Sequence, residues 1–242
     1  MKSSLRLLVL VGCIFIGCSR NVEALNYTTL DNVVVKEEDI KKLEKDISYL
    51  DSNWVNNFEE DYSLFIVESI YDRNPDDNKS VVGLHDPEKK EILIRKDIYT
   101  GTLFHEFGHF IHTRLNNSED FEFIAFDTLV IDIYKEEQEA LSKIMGDYCK
   151  TNYREFFAEA YEYGINLVKL KELDEDFFYK ELNRWGLNCP RMKTLIWDGI
   201  INNSEVLYNS DVINSLIEDV KAKYPNYLLD YSYFRILLSG LY

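Results

Sequence analysis

The sequence predicts a single α+β domain, with a small twisted N-terminal sheet and accompanying helices followed by a mainly helical C-terminal lobe. Three observations predict this class. The 242-residue chain is 46% hydrophobic and 14% aromatic, which is enough for one sizeable core. Segments rich in β-branched and aromatic residues come first along the chain, and helical apolar spacing follows. With only 10 glycines and 4 prolines, no stretch is typical of a flexible linker.

The first 24 residues are typical of a targeting segment. Lys2 and Arg6 precede an apolar run that extends from residue 7 to residue 16. This run is too short to span a bilayer comfortably and fits the apolar region of a signal peptide. We therefore expect a signal peptide at residues 1–24 and one domain at residues 25–242.

Two processing routes are open from this segment. Residues 22–24 (Val-Glu-Ala) resemble a small-residue cleavage site, which would give a secreted protein. Residues 15–18 (Phe-Ile-Gly-Cys) resemble a bacterial lipobox, although Phe15 stands where leucine is preferred. Cleavage between residues 17 and 18 would leave Cys18 as a lipid anchor on the outer face of a bacterial membrane.

The chain is strongly acidic, with a formal net charge of −16. Either cut takes the mature chain to about −18, and the acidic residues are spread along it. Nucleic acid and anionic membrane are disfavoured as partners, because phosphate binding needs clustered Lys and Arg. The charge mildly favours neutral or basic substrates, and it also serves ordinary solubility.

The first half contains one predicted helix and three predicted strands. The helix spans residues 36–51, where apolar side chains recur at helical spacing. A strand is predicted at residues 62–71, followed by a turn at residues 74–77 that contains Asn-Pro-Asp-Asp. Two shorter strands at residues 80–83 and 91–95 are predicted to form a hairpin around Asp86-Pro87.

The second half is predicted to be mainly helical. The expected helices span residues 100–115, 133–145, 153–167, 174–185, 190–198 and 211–223.

Residues 105–109 read His-Glu-Phe-Gly-His, an H-E-x-x-H pattern within the first of these helices. Residues four apart share a helical face, so His105 and His109 can bind one metal ion. Neutral imidazole nitrogen suits Zn²⁺. Glu106 follows the first ligand, where a carboxylate can reach a metal-bound water. The pattern therefore predicts one catalytic Zn²⁺, with a surface helix carrying two histidines as the alternative.

A catalytic zinc needs a third protein ligand. His112 lies a further turn along the same helix, and three ligands on one straight helix cannot converge tetrahedrally. Glu155 and Glu159 are better candidates, because they lie four apart among aromatic residues, where carboxylates usually need a partner or a metal. One can bind the ion, and the other can hydrogen-bond a ligand histidine.

Two cysteines, Cys149 and Cys189, remain in the secreted form. Export permits a disulfide between them, and two buried free thiols are the alternative.

The two motifs together, H-E-F-G-H at residues 105–109 and E-F-F-A-E-A at residues 155–160, resemble the anthrax lethal factor-type zinc metallopeptidase domain. Its small secreted relatives include the Pro-Pro endopeptidases. The resemblance implies a zincin-like fold with Glu155 as third zinc ligand and Glu159 as hydrogen-bond partner of a ligand histidine. It also implies that Tyr148, seven residues before the ligand, assists the transition state.

The resemblance implies a zinc metalloendopeptidase in which Glu106 is the general base and later returns its proton to the leaving amine. It further implies an extended peptide or protein substrate that pairs with an edge strand, expected at residues 91–95. Two alternatives from other classes are a catalytically silent zinc-binding interaction module and a noncatalytic lipoprotein with a coincidental motif. The oligomeric state is not determined by the sequence, and a monomer is expected.

Overall fold

The computed structural model describes residues 25–30, 33–70, 81–97, 101–116 and 126–202, with short helical pieces at 215–216, 218–219 and 222. In these ranges the chain forms a small mixed sheet and seven α-helices, so the predicted α+β class is confirmed. The predicted signal peptide, Cys18 and the predicted turn at residues 74–77 lie outside the described residues. Most of the predicted helix at residues 211–223 also lies outside them.

The sheet contains four short strands, β1 (Tyr27–Thr29), β2 (Ser63–Val67), β3 (Gly83–Asp86) and β4 (Glu91–Arg95). Their spatial order is β1-β2-β4-β3. The first three strands in this order run parallel, and β3 pairs with β4 in the antiparallel direction. One strand, β1, was not expected from the sequence.

The expectation that residues 91–95 form an edge strand is wrong. In the sheet, β4 pairs with β2 on one side and with β3 on the other. Residues 92–94 are buried and apolar on both faces, which is typical of an interior strand. Among the described residues the edge beside β4 is β3, which begins at Gly83, where the strand predicted at residues 80–83 was expected to end.

The N-terminal helices are α1 (Glu37–Ile47) and α2 (Ser52–Glu59). The helix predicted at residues 36–51 corresponds to α1, and α2 follows it. A second helix begins after Asp51, because this residue adopts an extended conformation and caps α2. Its carboxylate accepts hydrogen bonds from the N–H groups of Asn53 and Trp54. The unexpected α2 packs Trp54 and Phe58 against the helix that carries the H-E-x-x-H motif.

The remaining helices are α3 (Thr102–Asn116), α4 (Phe126–Met145), α5 (Tyr153–Leu173), α6 (Glu175–Asn188) and α7 (Pro190–Lys193). A π-helical turn at Thr194–Ile201 continues α7. The motif helix was thus predicted within two residues at its start and one at its end, while α4 starts seven residues earlier than expected.

The main core lies between the sheet and the helices and is rich in aromatic residues. A second, smaller cluster of Val67, Ile70 and Leu93 packs on the opposite face of the sheet. None of the helices in the described ranges combines the length and the apolar character that a membrane crossing requires.

Cys149 and Cys189 are both buried and are free thiols. Burial raises the pKa of Cys149 to about 11 and that of Cys189 to about 12, so both remain protonated at neutral pH. Of the two alternatives that the sequence left open, this structure shows the buried thiols.

Candidate metal centre

The two motif histidines lie one turn apart on α3. Their ring centroids are 4.9 Å apart and the rings are nearly perpendicular, with an interplanar angle of 79°. Both side chains are mostly buried, with 11% of His105 and 16% of His109 exposed. The helix therefore presents two imidazoles to the same point in space, as the i, i+4 spacing predicts.

A close approach of α3 and α5 brings Glu155 to these histidines. At the crossing, a Cβ added to Gly108 would lie 3.0 Å from the Cα of Ala158 and 3.2 Å from the Cβ of Tyr161. Glu155 stands in the first turn of α5, which Asn152 caps by accepting hydrogen bonds from the N–H groups of Arg154 and Glu155. The Asn152 cap sets where α5 begins, and the absence of a side chain at Gly108 allows α5 to lie close to α3.

One oxygen of Glu155 faces both imidazoles. Its Oε2 atom lies 3.0 Å from Nε2 of His105 and 3.3 Å from Nε2 of His109. In a tetrahedral site with zinc–ligand bonds of about 2.0–2.1 Å, neighbouring ligand atoms stand roughly 3.3 Å apart. Two imidazole nitrogens and one carboxylate oxygen are also donors that suit zinc. The residues present therefore fit a zinc ion in both spacing and chemistry.

The other nitrogen of the His105 ring is held by two further carboxylates on α5. Nδ1 lies 3.2 Å from Oε1 of Glu159 and 3.6 Å from Oε2 of Glu162. A carboxylate on this nitrogen fixes the tautomer in which Nε2 is free to bind a metal. The two carboxylates therefore orient His105 towards Glu155.

Sequence reasoning did not single out Glu162. The signal was present, because Glu155, Glu159 and Glu162 follow an i, i+4, i+7 pattern that puts all three on one helical face. Gly101, with φ of +84°, makes room for it, since a Cβ there would lie 2.5 Å from Oε1 of Glu162. Gly101, in the turn before α3, therefore packs closely against Glu162 in the middle of α5.

The carboxylates dominate the electrostatics around His105. Burial alone would lower the pKa of His105, but hydrogen bonds with the carboxylates of Glu155, Glu159 and Glu162 outweigh it and raise this pKa. Burial alone would raise the pKa of Glu155, and its hydrogen bonds with the two histidines lower it instead. Burial lowers the pKa of His109. The cluster as a whole thus favours a positive charge at its centre.

Glu106 lies beside this cluster and is only 7% exposed. Burial raises its pKa to about 7, a shift that the charge of His105 opposes and the Glu155 carboxylate reinforces. The backbone N–H of His85 also interacts with this carboxylate and opposes the rise of its pKa. Glu106 is therefore a carboxyl group that can exchange a proton near neutral pH.

Tyr148 lies at the mouth of the same site, in a short 3₁₀ helix at Asp147–Lys150. Its ring centroid is 5.8 Å from that of His105, and 57% of the residue is exposed. Partial burial and the nearby Glu155 carboxylate raise the pKa of Tyr148. The hydroxyl is thus a neutral donor directed at the cluster.

The other two histidines have different surroundings. His112 is buried, and its Nε2 atom lies 3.1 Å from Oδ1 of Asp127 on α4, away from the ligand cluster. His85 on β3 stacks between Tyr62, 5.6 Å away, and His109, 6.4 Å away. Burial lowers the pKa of His85 to about 3, so this ring is neutral and supports His109 by packing alone.

No protein-family model matches the chain, and no curated protein sequence matches it. One solved structure with an arrangement similar to this chain is the Pro-Pro endopeptidase PPEP-2 from Paenibacillus alvei. The similarity covers 73% of this chain and 98% of that one, with 10% sequence identity and a TM-score of 0.46. Such a distant similarity says nothing about which residues are functional, so the chemistry must come from the residues of this chain.

Proposed function

We propose that this protein is a zinc-dependent endopeptidase, secreted or anchored at a bacterial surface. One observation carries the proposal. Two imidazoles and a carboxylate meet at zinc-like spacing, and a buried carboxyl with a pKa of about 7 lies beside them. The proposed ligands are His105, His109 and Glu155. Export is inferred from the charged and apolar N-terminal segment alone.

A zinc ion bound by these three side chains would supply an activated water and polarise the carbonyl of a peptide bond. Glu106 takes a proton from the attacking water and delivers it to the amine nitrogen as the C–N bond breaks. The hydroxyl of Tyr148 donates to the developing negative charge on the carbonyl oxygen. Glu159 holds the Nδ1–H of His105, so that Nε2 keeps its lone pair for the metal.

We infer that an extended peptide binds at the edge of the sheet beside the site. Antiparallel pairing with an edge strand holds a substrate backbone straight and leaves alternate side chains free for recognition. Among the described residues this edge is β3, whereas β4 is paired on both sides, so β3 is the proposed strand. The net charge of −16 favours peptides that are neutral or basic.

The first experiment measures zinc and cleavage together. We expect native mass spectrometry of the mature protein to show one zinc that a chelator removes. We expect digestion of a peptide library to require that zinc. Glu106→Gln should retain the metal and abolish cleavage, whereas Glu175→Gln, a matched change at an exposed position on α6, should leave both unchanged. If Glu106→Gln cleaves as the wild type does, the assigned base is wrong.

The same experiment separates the enzyme from the silent zinc-binding module. A module that only binds zinc would retain the metal and cleave no library member, with or without Glu106. Glu155→Ala addresses the ligand set directly. We expect it to weaken zinc binding, and an unchanged zinc affinity in this variant would remove Glu155 from the site.

A further inference from the structure

The Glu106 side chain lies against the backbone of the edge strand β3 at Gly83. A Cβ added to Gly83 would lie 2.5 Å from Oε1 and 2.9 Å from Cγ of Glu106. The same Cβ would lie 2.5 Å from Cγ2 of Thr102. Carbon atoms in contact normally stand about 3.5–4.0 Å apart, so any other residue at position 83 would displace its neighbours.

The backbone of the residue two positions along β3 also acts on the carboxylate. The backbone N–H groups of residues 83 and 85 point to the same side of the strand, because backbone groups repeat every two residues. The backbone N–H of His85 interacts favourably with the Glu106 carboxylate. One position of the strand therefore leaves space for the carboxylate, and the position two residues on supplies a donor.

Backbone conformation does not explain the glycine. Gly101 and Gly146 adopt positive φ angles, and Gly83 is not among the described glycines that do. Glycine is also unfavourable in a strand, because it loses more conformational entropy on folding than other residues and has no side chain to pack. The space needed by Glu106 and Thr102 is therefore the physical reason for glycine at this point.

We propose that Gly83 is a positioning residue for Glu106, holding the carboxylate between β3 and the candidate metal ligands. An alanine at position 83 would push the carboxylate away from β3 and away from the His85 N–H. The structural part of this proposal stands on the contacts alone. Its catalytic consequence rests on the proposed function, in which Glu106 is the base.

A double-mutant cycle measured by thermal unfolding tests the structural part without any activity assay. Overpacking a buried contact is destabilising, so Gly83→Ala should lower the Tm by roughly 4–8 °C in the wild-type background. In a Glu106→Ala background one of the two obstructing side chains is gone while Thr102 remains, and we expect the same change to lower the Tm by clearly less than in the wild type.

Two controls make the cycle specific. Gly186→Ala on α6 adds a Cβ whose nearest neighbour, Cδ of Lys193, is 4.0 Å away, so it should act identically in both backgrounds. Thr102→Ser removes the other obstructing methyl group. If Thr102→Ser relieves the loss and Glu106→Ala does not, the glycine accommodates Thr102 and the proposal is overturned. Equal losses from Gly83→Ala in wild-type and Glu106→Ala backgrounds overturn it as well.

The catalytic consequence has its own readout. Glu106 is outside the proposed ligand set, so Gly83→Ala should leave the zinc dissociation constant unchanged. Misplacement of a catalytic group by about 1 Å can cost on the order of 100-fold, and we expect kcat to fall roughly 10- to 100-fold with KM unchanged. Wild-type kcat in Gly83→Ala would refute the positioning role. If the wild type cleaves nothing, the proposed function fails while the thermal cycle still decides the structural part.

Discussion

Gly108→Ala should weaken zinc binding although it alters no ligand. The added Cβ would stand 3.0 Å from the Cα of Ala158, where about 3.5–4.0 Å is normal, so α3 and α5 must separate by a few tenths of an ångström. Because His105 and His109 are on α3 and Glu155 is on α5, this separation widens the ligand spacings of 3.0 and 3.3 Å by a similar amount. Metal–ligand distances tolerate only about ±0.2 Å.

The expected loss of zinc affinity in Gly108→Ala is about 10- to 100-fold, the range usual for changes just outside a metal's ligands. Competition with a chromophoric zinc chelator measures it. The stability of the zinc-free Gly108→Ala protein provides a second readout, because helix propensity and overpacking change it in opposite directions. Alanine in place of glycine inside a helix favours folding by about 1 kcal/mol, whereas overpacking costs about 1–3 kcal/mol.

We therefore expect the zinc-free Tm of Gly108→Ala to fall by as much as about 8 °C. The control Gly186→Ala, which adds a Cβ in ordinary contact distance of the flexible Lys193 side chain, should keep wild-type zinc affinity and should raise the Tm slightly. If Gly108→Ala binds zinc as tightly as the wild type, close packing of the two helices does not set the ligand spacing.

Three further predictions follow from other contacts of the described residues. Glu159→Ala removes the nearer of the two carboxylates at Nδ1 of His105 and should reduce zinc affinity about 10- to 100-fold in chelator competition, and wild-type affinity would show that Glu159 is not needed to orient His105. Tyr148→Phe should lower kcat about 100- to 1000-fold with zinc content unchanged, as read from steady-state kinetics and metal analysis; an unaltered kcat would exclude the hydroxyl. Burial alone would raise the pKa of Asp127, but the His112 ring, whose Nε2 lies 3.1 Å from Oδ1, outweighs this and lowers it. This contact therefore stabilises the fold above the ordinary carboxyl pKa, and the contribution is lost as the pH falls through the lowered value. Asp127→Asn should therefore shrink the Tm difference between about pH 6 and about pH 3, and an identical difference in both proteins would contradict this.

The fold class was predictable because the elements that build it have strong local patterns. The strand at residues 91–95 and the motif helix were located within two residues, since a β-branched run and a helical apolar repeat both differ sharply from their flanks. By contrast, α2 was missed: the predicted helix stopped at Asp51, and Asp51 is the N-cap of a second helix that begins at the next residue.

The position of β4 in the sheet was wrongly predicted, although the sequence contained a signal. Residues 92–94 are three consecutive apolar residues, and a strand that is apolar on both faces is usually interior. Strand order itself depends on long-range pairing, which local spacing does not report. The parallel partner β2 is separated from β4 by residues 68–90, so no short turn could indicate their pairing.

At the site, spacing along one helix identified His105 and His109, and a second motif suggested Glu155. The structure adds what spacing cannot give, namely the 3.0 and 3.3 Å contacts that join α5 to α3. It also adds Gly83, whose contact with Glu106 joins segments about twenty residues apart in sequence. Contacts of that kind depend on backbone approach, and no residue pattern encodes them.

The length and charge of the edge strand β3 affect how the protein behaves in concentrated solution. An open strand edge ordinarily invites a second copy of the same chain to pair with it, which leads to aggregation. Here the edge is four residues long and ends in Asp86, whose carboxylate is ion-paired with Lys89. Among the described residues this short, charged edge is a poor template for a second copy of the chain, so aggregation through β3 is disfavoured.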